Sequence, residues 1–478
     1  MNYRMIKYTL GWLLMFEAGF FIVPILTALV YKEPELWDFM LAAGICLAVA
    51  GLMFIGKPKN TVLYAREGFV IVALCWIFLS IFGALPFMFS GVTESYIDAL
   101  FETVSGFTTT GSTIFGVVEE LPRSINIWRC FTHWVGGMGV LVFIMAFLPL
   151  SGGQNMHIMK AESPGPSVSK LVPKVRTTAL ILYVIYFVLT IIQFILLLCG
   201  GMSLFDSLCT AFGTAGTGGF GVKNDSMGSY SSYLQIVVTV FMLLFSLNFS
   251  AYYLAFKGRF KDAFNSEIRT FICIVAIAIT TVSINIRGMF DSLGETVKHA
   301  AFTVASIIST TGFATVDFNV LTALARTLLI VRMFIGACAG STGGCIKVSR
   351  IMIAFKGMVK EMKSILHPRR VQKVTLDSRP VDMEVVRSVN SYLVFYIVIF
   401  TVSMIIVALE NNDLVTGFSA VAATINNIGP GLELVGPTQN FGFLSVPTKL
   451  VLIFDMLAGR LELFPMLLLF SPTTWKNR

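Results

Sequence analysis

The sequence predicts an all-α integral membrane protein with ten spanning helices and four half-length helices arranged about a pseudo-four-fold axis. Three observations predict it: an extreme apolar composition, basic residues confined to alternate loops, and a Gly/Thr-rich stretch that recurs four times. Of 478 residues, 56% are hydrophobic and only 13% charged, with mean hydropathy +0.80. Length alone would favour about three soluble domains. No soluble chain of this size needs so much apolar surface, so composition overrides length.

Apolar runs near the ~20 residues that cross a hydrocarbon core fall at roughly 10–31 and 38–56, then 69–90 and 127–149. Further runs follow at 177–200 and 231–256, at 270–287 and 321–355, and at 388–409 and 446–470. The first follows a short basic start (Arg4, Lys7) and stays apolar to about Val30. That is too long for a signal-peptide core, so a retained first helix is expected. Eight cysteines are scattered without a Cys-x-x-Cys, and the four histidines make no metal spacing with them. They read as packing residues in apolar settings.

Basic residues gather in alternate loops: Lys57, Lys59 and Arg66; Lys160, Lys170, Lys174 and Arg176; Lys257, Arg259, Lys261 and Arg269. The longest loop runs from Lys347 to Arg387, and with both termini these segments hold 25 of the 35 lysines and arginines. The positive-inside rule makes them cytoplasmic. Topology thus accounts for the net charge of +8, and a nucleic-acid partner is excluded as its explanation.

Within each of the last four pairs of spans lies an apolar run too short to cross: 96–107, 203–212, 296–308 and 414–425. Each leads into a related stretch: Phe107-Thr-Thr-Thr-Gly111, Phe212-Gly-Thr-Ala-Gly216, Ile308-Ser-Thr-Thr-Gly312 and Ile425-Asn-Asn-Ile-Gly429. Small residues also serve tight helix packing. Four copies, each after a half-length helix, favour re-entrant loops, because irregular backbone at membrane depth must face protein or a watered path. Four such loops can turn carbonyls toward an axis and replace the water shell of a monovalent cation. The glycine permits backbone angles closed to other residues, and each half-helix aims its partially negative C-terminus at the pore. The expected division is 1–60 for two extra N-terminal helices, then pore units at 61–160, 161–262, 263–365 and 366–478.

The chain resembles the TrkH branch of the Trk/Ktr/HKT potassium transporter superfamily over nearly its whole length. The resemblance rests on Phe107–Thr113, His133-Trp-Val-Gly-Gly-Met-Gly139, Glu162-Ser-Pro-Gly-Pro-Ser167, Ala339-Gly-Ser-Thr-Gly-Gly-Cys-Ile-Lys347 and Gly459-Arg-Leu-Glu-Leu-Phe464. It implies a potassium filter formed by Thr109, Thr110 and Gly111; Thr214, Ala215 and Gly216; Thr310, Thr311 and Gly312; and Asn427, Ile428 and Gly429. Glycine at 111 argues for potassium selectivity, since plant relatives with serine there pass sodium. Gly218 and Gly219 follow the second stretch, so a shifted register stays open there.

Gly336 to Lys347 interrupts the run at 321–355 with four glycines, a serine and a threonine in nine residues, which no membrane helix holds well. By resemblance Gly340, Ser341, Thr342, Gly343 and Gly344 form an intramembrane gate; the alternative is a small-residue packing face. Lys347 belongs to the gate or anchors its cytoplasmic edge. Arg460, deep in the last apolar run, is a functional suspect because intramembrane charge is costly. By resemblance it is a barrier beside the gate; otherwise Asp455 or Glu462 neutralises it. Asp98, Glu102 and Asp206 lie in or near the half-helices and either enrich cations at the mouth or are solvated.

The resemblance further implies potassium as transported substrate with no cofactor in the chain, a homodimer, and a TrkA-type nucleotide-binding regulatory protein docked on the basic cytoplasmic face. Anionic membrane lipid is the other occupant of that face. The chain has no Rossmann fingerprint or Walker lysine and no nucleophile–base or metal constellation, so no enzyme is expected. The implied setting is the bacterial cytoplasmic (inner) membrane. Two rival functions remain: a proton- or sodium-coupled symporter, which needs a carboxylate or histidine buried along the path, and a sodium-permeable relative.

Overall fold

The computed structural model describes residues 1–56, 58, 64–139, 175–369, 372–377, 379–410 and 413–476. The Glu162–Ser167 motif, most of the loop between the first two pore units and the end of the span expected at 127–149 lie outside them. Among the described residues, apart from one antiparallel pair of short strands, Thr375–Leu376 with Arg379–Pro380, the regular structure is helical.

Two N-terminal spans, Tyr3–Tyr31 and Leu36–Phe54, pack side by side and against the first of four helix–short helix–helix units. Each unit then opens with a long apolar helix: Arg66–Phe89, Arg176–Cys199, Ser266–Asn285 and Met383–Ala408. These stay apolar on their exposed sides, with Val184, Phe187 and Ile195, or Val394, Ile397 and Ile405, facing outward. Apolar residues on both sides of a helix mark a lipid-facing span.

The second helix of each unit is not the continuous span that hydropathy predicts. In the first unit it runs Arg123–Gly137. In the second, Ser232–Phe245 and Phe249–Phe256 meet at 90°. In the third, Ala323–Met333 and Val348–Leu366 are separated by the Gly-rich segment, and in the fourth Val446–Arg460 and Phe464–Phe470 are separated by Leu461–Leu463. Among the described residues, six helices are long and apolar enough to span, or seven with the bent pair counted as one. The expected runs 231–256 and 446–470 are therefore corrected to broken helices, whereas the interruption expected within 321–355 is where the Gly-rich stretch placed it. Hydropathy averages over a window and cannot register a break of three residues between apolar helices. At the fourth break Glu462 and Leu463 both take positive φ, +56° and +67°.

Four shorter helices lie inside this frame: Tyr96–Phe107, Leu204–Gly216, Leu293–Ser309 and Leu414–Ile425. A serine or aspartate caps each N-terminus (Ser95, Ser203, Ser292, Asp413) by accepting from backbone N–H groups of the first turn, which satisfies donors that lack an intrahelical partner. Each short helix is wedged between the second helix of its own unit and that of the preceding unit, and the first packs against Val446–Arg460 of the fourth. The ring therefore closes on itself.

Candidate ion-conduction site

All four short helices end in the same way. The N–H of Thr109, Thr217, Thr310 and Asn427 donates three residues back, to Gly106, Thr214, Ile307 and Thr424, at 3.0–3.1 Å. The next N–H, of Thr110, Gly218, Thr311 and Ile428, donates five residues back, to Ser105, Gly213, Ser306 and Ala423, at 2.8–2.9 Å. This paired 5→2 and 6→1 pattern is a Schellman cap, which requires a left-handed residue at the turn. The residues there have φ of +57°, +55°, +63° and +53°. Three are threonine, whose branched Cβ makes this conformation costly, on the order of 1–3 kcal/mol each. Two residues on, Gly111, Gly219, Gly312 and Gly429 also have positive φ, between +79° and +100°.

This register corrects the second loop. Thr214, Ala215 and Gly216 are the last turn of helix Leu204–Gly216, and Thr214 Oγ1 donates back to the Thr210 carbonyl at 2.7 Å as helical threonines do. The equivalent of Thr109-Thr110-Gly111 is Thr217-Gly218-Gly219. Gly216 has a packing role instead: a Cβ there would lie 2.2 Å from the His133 carbonyl oxygen. Thr109, Thr110, Gly111, Thr310, Thr311, Gly312, Asn427, Ile428 and Gly429 occupy equivalent places in their three loops.

The glycines interlock. A Cβ on Gly111 would lie 1.8 Å from the Gly218 carbonyl oxygen, and one on Gly219 would lie 2.0 Å from that of Thr311. On Gly312 it would meet the Ile428 oxygen at 2.1 Å, and on Gly429 the Thr110 oxygen at 2.6 Å. Each loop thus abuts the next, and the fourth abuts the first. The same four glycines line one cavity, with Ser112, Phe220 and Pro430. Ser112 donates to the Gly429 carbonyl at 2.9 Å, and Asn427 Nδ2 donates to Thr110 Oγ1 at 2.9 Å, which fastens the fourth loop to the first.

Side chains behind the ring hold it. Phe220 N–H donates to His133 Nε2 at 3.1 Å, so the imidazole is neutral and its Nδ1–H donates to the Gly106 carbonyl at 2.7 Å. One histidine thereby ties the first cap to the second loop. Nothing in the spacing of His133 could have revealed that contact, though the residue opens the stretch His133–Gly139 on which the resemblance partly rests. Glu102 is buried and paired with Arg129 at 2.7 Å, and it also accepts from Thr113 Oγ1 and the Ile114 N–H. Asp98 pairs with Lys449 at 2.6 Å, and Asp206 accepts from the Tyr230 hydroxyl at 3.0 Å. Glu102 is therefore a strut for the chain leaving the first loop, and all three carboxylates have protein partners.

Within Gly340, Ser341, Thr342, Gly343 and Gly344, the last two lie directly against the third and fourth loops, while Gly340 faces Asn248 and Thr342 bonds the Phe245 carbonyl. The Gly344 N–H donates to Thr310 Oγ1 at 2.8 Å, and the Cys345 N–H donates to the Asn426 carbonyl at 3.1 Å. The break in the second unit grips the loop's other limb: Cys338 N–H donates to the Ser246 carbonyl, and Phe249 N–H to the Gly340 carbonyl. Lys347 is buried and its Nζ donates to the Gly343 and Gly344 carbonyls, so it curls under the loop instead of reaching an interface. Arg460 donates from Nη1 to the Thr342 carbonyl at 2.7 Å, and from Nη2 to Gly136 and Gly137 at 2.6 and 2.8 Å. Glu462 pairs with Arg350, and Asp455 accepts from Ser403 at 2.8 Å. The arginine therefore joins the loop's tip to the first unit.

A model of the family described as TrkH: Cation transport protein matches residues 38–477. The chain belongs to the TrkH family of cation transport proteins. It is 35% identical, over the full length of both chains, to the Trk system potassium uptake protein TrkH of Salmonella typhimurium and to that of Escherichia coli K12. Its fold is similar to the crystal structure of the potassium transporter TrkH from Vibrio parahaemolyticus, with a TM-score of 0.90, 33% identity and complete coverage of both chains. The TrkH-family fold is thus shared along the whole chain.

Proposed function

We propose that the chain takes up potassium through the ring of four loops, with Gly340–Gly344 as the gate. The observation that carries this reading is the closed ring: four left-handed caps, each followed two residues later by a glycine set against the next loop's carbonyl oxygen. The carbonyls of Thr110, Gly218, Thr311 and Ile428 replace the hydration shell of a dehydrated cation, as filter carbonyls do. Four helix C-termini end at the ring, and their partial negative charge favours a cation there. Potassium is the cargo named for the relatives.

In the gate reading, the loop between Met333 and Val348 obstructs the path beneath the ring, held there by Thr310 and Arg460. The ammonium of Lys347 and the guanidinium of Arg460 add electrostatic barriers below the filter. The basic end, where Tyr3 and Arg66 bond the backbone of Trp475 and Lys476, is cytoplasmic in the bacterial inner membrane. There a TrkA-type nucleotide-binding protein controls the gate of a homodimer. The units 61–160, 161–262, 263–365 and 366–478 are the four quarters of the pore.

One observation favours a proton-coupled reading. Asp455 is fully buried near the fourth loop, and its Oδ2 has no hydrogen-bond partner. Flux in liposomes against separate potassium, sodium and proton gradients, with reversal potentials recorded, distinguishes the two. Flux that follows potassium alone supports the channel-like path, and flux driven by the proton gradient alone overturns it.

A further inference from the structure

We infer that Glu267 is the positioning residue that clasps the gate loop in its closed form. This rests on the gate reading above and adds to it the group that holds the loop's base. Glu267 lies in the first turn of helix Ser266–Asn285 and is only 7% exposed. Its Oε1 accepts from the Ala339 N–H at 2.8 Å and from the Ser349 N–H at 3.1 Å. Those two residues flank the gate, one on each limb.

The chemistry suits a carboxylate. Ser349 is in the first turn of helix Val348–Leu366, where N–H groups have no intrahelical acceptor and the helix dipole favours negative charge. One oxygen therefore satisfies a helix N-terminus and the entry to the loop together. The backbone closes the same base, through Gly336 N–H to the Ile346 carbonyl at 3.0 Å and Val348 N–H to that of Ala337 at 3.3 Å. The tip is held separately, by Thr310 and Arg460. Removing the clasp strands two buried donors and frees the limbs to part.

The clasp also has a connection to the basic end. The N–H of Ser266, next to Glu267, donates to Asp377 Oδ1 at 2.7 Å, in the hairpin Thr375–Pro380. Lys356, on the helix leaving the gate, donates to the Thr375 carbonyl at 2.8 Å. The hairpin thus bridges the two helices whose relative movement would separate Ser349 from Glu267.

The test uses the full chain in potassium-loaded liposomes without any partner, comparing Glu267→Ala, Glu267→Gln and a deletion of residues 341–343. The deletion removes the tip and checks the gate itself. Glu267→Ala is expected to raise basal flux by roughly tenfold, since hydrogen bonds to a charged acceptor are the stronger kind, with the K⁺/Na⁺ reversal potential unchanged. Glu267→Gln keeps an acceptor oxygen without the charge and is expected to fall between the parent and Glu267→Ala. A merely structural role would lower thermal stability without raising flux per folded protein and without rescue by glutamine. Raised flux in the deletion but parental flux in Glu267→Ala overturns the clasp and leaves the gate standing. Parental flux in the deletion overturns the gate and the clasp with it. If Glu267→Ala is not recovered folded, Glu267→Asp, one methylene short of reaching both donors, takes its place with the same two outcomes.

Discussion

Replacing Gly219 by alanine, with Gly216→Ala as its counterpart, tests which glycine closes the second loop. At Gly219, φ is +79° and the new Cβ would sit 2.0 Å from the Thr311 carbonyl oxygen, against an ordinary contact of at least 3.4 Å. Backbone must move by more than an ångström, and the oxygen displaced belongs to the proposed ligand ring. Holding alanine at positive φ costs a further ~1–3 kcal/mol. Strain of that size, placed on one of four ligands, corresponds to roughly 5- to 150-fold in relative ion affinity. At Gly216 the new Cβ meets the His133 carbonyl at 2.2 Å instead, which stresses the contact between two helices and touches no ring oxygen. The assay is the reversal potential under bi-ionic K⁺/Na⁺ conditions, beside thermal unfolding of each variant. Gly219→Ala is expected to lower the permeability ratio by about fivefold or more. Gly216→Ala is expected to lower stability and leave the ratio of the surviving protein unchanged. The reverse pattern, selectivity lost at 216 and kept at 219, would refute the assigned register.

Two further outcomes are expected. Arg460→Ala removes the guanidinium bonds to Thr342, Gly136 and Gly137; at about 1.5–3 kcal/mol for a charged hydrogen bond, basal flux in liposomes should rise by an order of magnitude, and unchanged flux with an intact fold would remove the arginine from the gate. Glu102→Ala leaves Arg129 buried without its carboxylate, a loss of about 3–5 kcal/mol, seen as a lower unfolding temperature. Replacing both residues by methionine should recover much of it, since the isolated charge and not the missing pair carries most of the cost.

The two kinds of signal in the chain differed in reach. Hydropathy and loop charge reported the lipid-facing helices well, because Arg176–Cys199 and Met383–Ala408 owe their apolar character to the solvent around them. Hydropathy alone misread the second helices at 231–256 and 446–470, whose breaks take only three residues each (Ser246–Asn248 and Leu461–Leu463) between apolar helices. In the second loop, matching Phe212 to Phe107 placed the glycine three residues early. Leu204–Gly216 holds its helix past Gly213 and up to Gly216 because both meet close neighbours, Phe220 and Phe313 at one and His133 at the other. Composition cannot tell a glycine that lets helices approach from one that turns the chain.

The sequence by itself determined that this is a membrane protein, which segments face lipid, and that one Gly/Thr-rich unit recurs four times. These follow from local composition, which the bilayer reads directly. Only the tertiary structure decided which residues of each copy form the ring: Thr217-Gly218-Gly219 in the second, three left-handed threonines and one asparagine overall. It alone placed Lys347 beneath the loop, Arg460 across to Gly136 and Gly137, and Glu267 at the loop's two ends. Apart from the lysine, which reaches back three and four residues, those contacts join residues tens to hundreds of positions apart. Each exists because a buried N–H or carbonyl must find a partner in space, and no pattern along the chain records which partner that is.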